Sequence, residues 1–106
     1  MSVTDDLLAN NERYASTFGR LLPLPASRQV AVVACMDRRL NVYALLGLRE
    51  GEAYVIRNAG GVVTDDVIRS LTISQRLLGA SPFLLDTSQV RGFVFDVATG
   101  RLREVA

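Results

Sequence analysis

The stretch Val30-Ala-Val-Val-Ala-Cys-Met-Asp-Arg-Arg39 decides how this chain folds. Its first half is an apolar run without a charged side chain, of the kind buried on both faces of a parallel sheet, so a strand is expected over Gln29 to Cys35. Its second half sets a thiol, a carboxylate and two guanidiniums where that strand ends. Cys35 is the only cysteine and the chain has no histidine. The motif therefore reads as half of a metal site whose other half is not written in the sequence.

Working outward, Leu21-Leu-Pro-Leu-Pro25 cannot continue a helix, because each proline fixes its own dihedral and restricts the residue before it. It reads as an extended linker. Ahead of it, Thr4 to about Phe18 is expected to be helical, with Asp5 and Asp6 in the first turn and a thin apolar stripe of Leu7, Leu8, Tyr14 and Phe18. So narrow a stripe fits packing on another chain.

Downstream, Arg39 to Leu46 reads as a short helix closed by Gly47. Tyr54-Val-Ile-Arg57 reads as a second strand, left through the turn Asn58-Ala-Gly-Gly61. A longer helix follows: Thr64 is the expected N-cap, Asp65 and Asp66 suit the positive end of the dipole, and Val67, Leu71, Ser74 and Leu78 recur at helical spacing before Gly79. Arg91 to Val97 and Leu102 to Val105 flank the turn Ala98-Thr-Gly-Arg101 as a β-hairpin.

The order β-α-β-α-β-β predicts an α/β fold, a small, mostly parallel sheet with flanking helices and a C-terminal β-hairpin. A single domain over 1–106 divides into an N-terminal helix and linker (1–28), a βαβα core (29–79) and C-terminal strands (80–106). At 106 residues the buried fraction is modest, so a deep site is expected to need a partner chain.

Composition narrows the function. The net charge of +1 argues against a nucleic-acid or anionic-membrane surface. All twelve basic residues are arginine, which excludes Schiff-base lysine chemistry. No apolar run approaches the ~20 residues of a membrane span. With one cysteine and no apolar leader at Met1 to Asp6, a cytoplasmic setting is expected.

Sheets of this kind bind ligands at the carboxyl ends of their strands. Both unusual segments, Cys35 to Arg39 and Arg57 to Gly61, fall there. Two readings of the first stay open: a structural cysteine followed by solvated charges, or a thiolate stabilised by Arg38 and Arg39 that serves as soft metal ligand or nucleophile. Asp37, two residues before Arg39, is placed for a charge-assisted bond. The second segment is either a tight turn that needs glycine or a small-anion cradle of backbone amides. Other sites are removed: the glycine turn lacks G-x-G-x-x-G spacing, no Walker lysine exists, a Cys-x5-Arg loop would need arginine where Asn41 stands, and no histidine can activate a nucleophile.

Three blocks carry a family resemblance: Ala34-Cys-Met-Asp-Arg-Arg-Leu40, Leu46 through Tyr54-Val-Ile-Arg-Asn-Ala-Gly-Gly61, and Val63-Thr-Asp-Asp-Val-Ile-Arg-Ser-Leu71 through Gly79. Their order and spacing resemble the amino-terminal half of β-class carbonic anhydrases, most closely the short actinobacterial type. The final stretch, from about Ser81-Pro-Phe83 through Arg91-Gly-Phe-Val-Phe-Asp-Val-Ala-Thr-Gly100, resembles that family's C-terminal strands. Between Gly79 and Ser81, the strand that carries the family's His-x-x-Cys zinc motif has no counterpart.

The resemblance implies that Cys35 matches the first zinc ligand and that Asp37 and Arg39 match the dyad that orients metal-bound water. It implies no complete metal set, hence no cofactor where the family has zinc. The expectation is a carbonic-anhydrase-like protein that has lost its zinc site and CO2 hydration, assembled as a homodimer or higher homo-oligomer. A pocket of Cys35, Asp37, Arg39, Asn58, Ala59 and Gly60 would take a small anion such as bicarbonate or a carboxylate. The alternatives are a cysteine-dependent enzyme using Cys35, and a zinc-dependent carbonate dehydratase with ligands completed across subunits. Loss of the central strand implies either that Arg91 to Val97 moves beside the first strand or that another subunit completes the sheet.

Overall fold

The computed structural model of this protein describes residues 2–19, 22, 27–76 and 90–105. The linker expected around Pro23 and Pro25, and the helix end expected at Leu78 and Gly79, lie outside the described residues.

Helix α1 spans Val3–Ser16. It starts before Thr4 because Ser2 forms a capping box: its hydroxyl accepts from the Asp5 amide, and the Asp5 carboxylate accepts from the Ser2 amide, both at 3.1 Å. None of its residues is buried, and Leu7, Leu8 and Tyr14 are more than half exposed.

Strand β1 (Val30–Cys35) runs parallel to β2 (Ala53–Asn58), in a register from Val30 opposite Ala53 to Cys35 opposite Asn58. Between them, α2 covers only Val42–Leu46, with Gly47 as its left-handed C-cap at φ 66°. The expected start at Arg39 is displaced by local chemistry. Asn41 caps the Ala44 amide, and the preceding residues close a turn in which the Leu40 amide donates to the Asp37 carbonyl at 3.0 Å.

A 3-10 turn, Ala59–Gly61, leads to α3, whose described extent is Asp65–Arg76. Thr64 caps this helix as expected, its hydroxyl accepting from the Val67 amide at 3.3 Å. The core is small: Ala34 of β1, Val42 of α2, and Val67 and Ser74 of α3 are buried. Ser74 is satisfied there by donating to the Leu71 carbonyl at 2.8 Å.

The expected hairpin forms from β3 (Gly92–Phe95) and β4 (Leu102–Val105), antiparallel, with Gly92 opposite Val105. Asp96 organises its turn: its side chain accepts from the Ala98 amide and its amide donates to the Arg101 carbonyl. Among the described residues the hairpin is a separate two-stranded sheet, so β3 does not lie beside β1. The protein is thus an α/β fold with a parallel pair carrying the unusual loops and a detached C-terminal hairpin. No described helix is long and apolar enough to cross a membrane.

Candidate functional site

Parallel pairing of β1 and β2 brings both carboxyl-end segments together, since Cys35 lies opposite Asn58 and the Met36 amide donates to the Asn58 carbonyl at 2.8 Å. The juxtaposition expected from the sequence is therefore present. Four side chains and one glycine hold it.

Asp37 and Arg39 form a dense pair. The Arg39 Nη2 donates to Asp37 Oδ2 at 2.6 Å, its Nε to Oδ1 at 3.0 Å and to Oδ2 at 3.2 Å, and its amide to Oδ1 at 2.9 Å. These bonds to Arg39 hold the Asp37 carboxyl well below the usual carboxylate range. A group depressed in the folded state adds stability that is present above its unfolded pKa, near 3.9, and is lost as pH falls through the lower folded value. We expect a carbon-13 carboxyl titration to find Asp37 still ionised at about pH 3, and to find its midpoint returned towards the ordinary aspartate value in Arg39→Ala.

Arg57 is a clamp that the sequence did not reveal. Its Nε and Nη2 donate to the Cys35 carbonyl at 2.9 and 2.7 Å, and Nη2 also reaches the Asp37 carbonyl at 2.9 Å. A β2 side chain thereby fixes the backbone that presents the thiol and the carboxylate. An arginine at a strand end has many uses, and only the register aims this one at the neighbouring loop.

Asn58 closes the opposite side. Its Nδ2 donates to the Val62 carbonyl at 2.7 Å, and its Oδ1 accepts from the Val62 amide at 2.9 Å. Within that bracket Gly61 sits at φ 62°, and a Cβ there would lie 3.0 Å from the Cys35 nitrogen and 3.2 Å from the Ala34 carbonyl carbon. Only glycine allows the turn to lie against β1.

Cys35 is a free, half-buried thiol. Among the described residues no group of three histidine, cysteine, aspartate or glutamate side chains is arranged to hold a metal. Ala59 and Gly60 are exposed beside the thiol strand.

Architecture and site together define an α/β protein whose chemistry-bearing residues sit on loops at the carboxyl ends of adjacent parallel strands. The chain is 44% identical to β-carbonic anhydrase 1 of Mycobacterium tuberculosis, over 99% of each chain. A solved carbonic anhydrase from Streptococcus mutans superposes with a TM-score of 0.83 at 32% identity, covering 100% of this chain and 99% of that one. Carbon disulfide hydrolase of Saccharolobus solfataricus is 34% identical over 85% of this chain and 43% of its own length. No family profile matches the chain.

The chain belongs to the β-class carbonic anhydrase family. It is a shortened member: the mycobacterial alignment runs over 161 positions and this chain has 106 residues, so more than fifty positions of the relative face no residue here.

Proposed function

We propose that this chain is a non-catalytic, homo-oligomeric member of the family that keeps the aspartate-arginine pair and does not assemble a zinc site. The observation that carries this reading is the donor set at Cys35. Catalytic zinc takes three protein ligands from cysteine, histidine and carboxylate side chains, with water in the fourth place. The sequence offers one cysteine and no histidine. The carboxylate two residues on is engaged at both oxygens by Arg39.

The described residues therefore do not fit a zinc ion. Without a Lewis acid to lower the pKa of bound water to about 7, hydroxide for attack on CO2 would have to come from a protein base. Asp37 is a poor one, because Arg39 keeps its carboxyl so acidic.

The other readings gain less. Arg39 is committed to Asp37, Arg57 to two backbone carbonyls and the Asn58 amide to Val62, so these side-chain donors are already used within the loop. The nucleophilic-thiol reading gains less because Arg39, one of its two expected activating partners, is held by Asp37.

Stopped-flow CO2 hydration at neutral pH, with zinc supplied, tests the proposal. The expected rate is that of buffer alone. Hydration that rises with protein concentration and is abolished by a chelator would overturn it.

A further inference from the structure

The end of α1 and the approach to β2 enclose a space that the Cys35 loop does not use. Helix α1 closes with the Thr17 and Phe18 amides donating to the Tyr14 and Ala15 carbonyls, each at 3.2 Å. This turn sets Tyr14 and Phe18 on one side of the chain, their ring centroids 5.8 Å apart and their planes tilted by 50°. Both rings are more than half exposed.

Facing them is Glu50, in the turn ahead of β2. The Glu52 amide closes that turn on the Arg49 carbonyl, and the Ser27 and Arg28 amides tie it down through the Gly51 and Glu52 carbonyls, all at 3.1 Å. The Tyr14 hydroxyl donates to Glu50 Oε1 at 3.2 Å across 36 positions of sequence. The charge of the carboxylate, and its bond to the hydroxyl, raise the Tyr14 phenol above its ordinary value. Leu22 adds a further wall, so near Gly51 that a Cβ built there would lie 3.3 Å from its side chain. The result is a cavity of about 190 Å³ lined by Tyr14, Thr17, Phe18, Gly19, Leu22 and Glu50.

This lining selects its occupant by charge. Among the described residues its charged member is a carboxylate, and it holds no basic side chain. Aromatic rings attract cations through the negative charge over their faces, so rings and carboxylate favour the same sign. An anion would be repelled, and a wholly apolar molecule would take water from Glu50 without replacing its hydrogen bonds. The volume lies below the roughly 300–1,000 Å³ of pockets for drug-sized ligands, which limits the occupant to a fragment of about one ring.

We propose that this cavity binds a small organic ammonium ion: the cationic head meets Glu50, and a short apolar body lies against Tyr14, Phe18 and Leu22. The site is distinct from the Cys35 loop. Glu50 precedes Ala53, the first residue of β2, whereas Asn58 opposite Cys35 is its last, so the two lie at opposite ends of the parallel pair. Binding here is independent of whether the chain assembles a metal site.

Benzylammonium is the probe, titrated at constant ionic strength into the whole, isotopically labelled chain, with the ring signals of Tyr14 and Phe18 followed by NMR. Benzyl alcohol and benzoate are the neutral and anionic controls of the same shape. Saturable shifts at Tyr14, Phe18, Leu22 and Glu50 are expected with benzylammonium, with dissociation in the millimolar range, and neither control should reproduce them. Glu50→Gln should weaken binding roughly five-fold, and Phe18→Leu about two-fold or more. Tyr14→Phe keeps the ring and releases the carboxylate from the hydroxyl, so it should bind the probe at least as tightly as the native chain.

The absence of a saturable shift overturns the proposal. So does equal binding of benzyl alcohol, which would make the cavity an apolar crevice, or an unchanged affinity in Glu50→Gln. If Glu50→Gln loses its circular dichroism signal, the comparison of benzylammonium with benzyl alcohol in the native chain decides the charge requirement by itself.

Discussion

Gly61→Ala should cost about 3 kcal/mol or more of folding stability in urea denaturation, a large share of the 5–15 kcal/mol typical of a domain. Two effects combine. The left-handed conformation at φ 62° costs an L-residue roughly 1–2 kcal/mol. The added methyl would also sit 3.0 Å from the Cys35 nitrogen and 3.2 Å from the Ala34 carbonyl carbon, and backbone inside a paired strand cannot yield as a flexible side chain would. Gly47→Ala is the matched control: φ is 66° and nothing lies within 4 Å of the new methyl. Its cost should be about 1 kcal/mol, so the difference between the two isolates the contact with β1.

Arg57→Ala should be the most damaging side-chain truncation in the loop. It removes three charge-assisted bonds to the carbonyls of Cys35 and Asp37, with an expected loss of about 1–2 kcal/mol given the partial exposure of the site. Arg57→Lys should recover less than half of that, because a single ammonium cannot span two carbonyls as the planar guanidinium does. Amide chemical shifts of residues 35–39 should move in both variants while those of the β3–β4 hairpin stay in place. Equal movement in the hairpin would indicate general unfolding rather than release of the loop.

Much of this fold is local enough to be read from the chain. The Val30–Cys35 strand announces itself as an apolar run, Gly47 as a helix stop, and Thr64 with Asp65 and Asp66 as a helix start, because each signal lies within a few residues of the feature it specifies. The pairing of Asp37 with Arg39 is equally local. Helix α1 starts one residue ahead of the expected Thr4 because Ser2 and Asp5 form the capping box, with Asp5 standing where the usual box has a longer acid. Helix α2 starts at Val42 rather than the expected Arg39 because Asn41 and the Asp37 turn compete for the backbone groups that an earlier first turn would use.

What the sequence could not show was long-range. The Arg57 clamp joins residues twenty and twenty-two positions apart, and its target is settled only once the strand register is known. The steric demand on Gly61 likewise belongs to β1 rather than to its own turn. Separation of the hairpin from the parallel pair depends on which strands compete for one edge, and composition does not rank those competitors.

Zinc content tests the central claim most directly. Protein expressed in zinc-supplemented medium and purified without chelator should carry far less than one zinc per chain by mass spectrometry of the metal, and Cys35→Ala should leave that content unchanged. One zinc per chain in the native protein, lost on Cys35→Ala, would contradict the account and establish a metal site built on this cysteine.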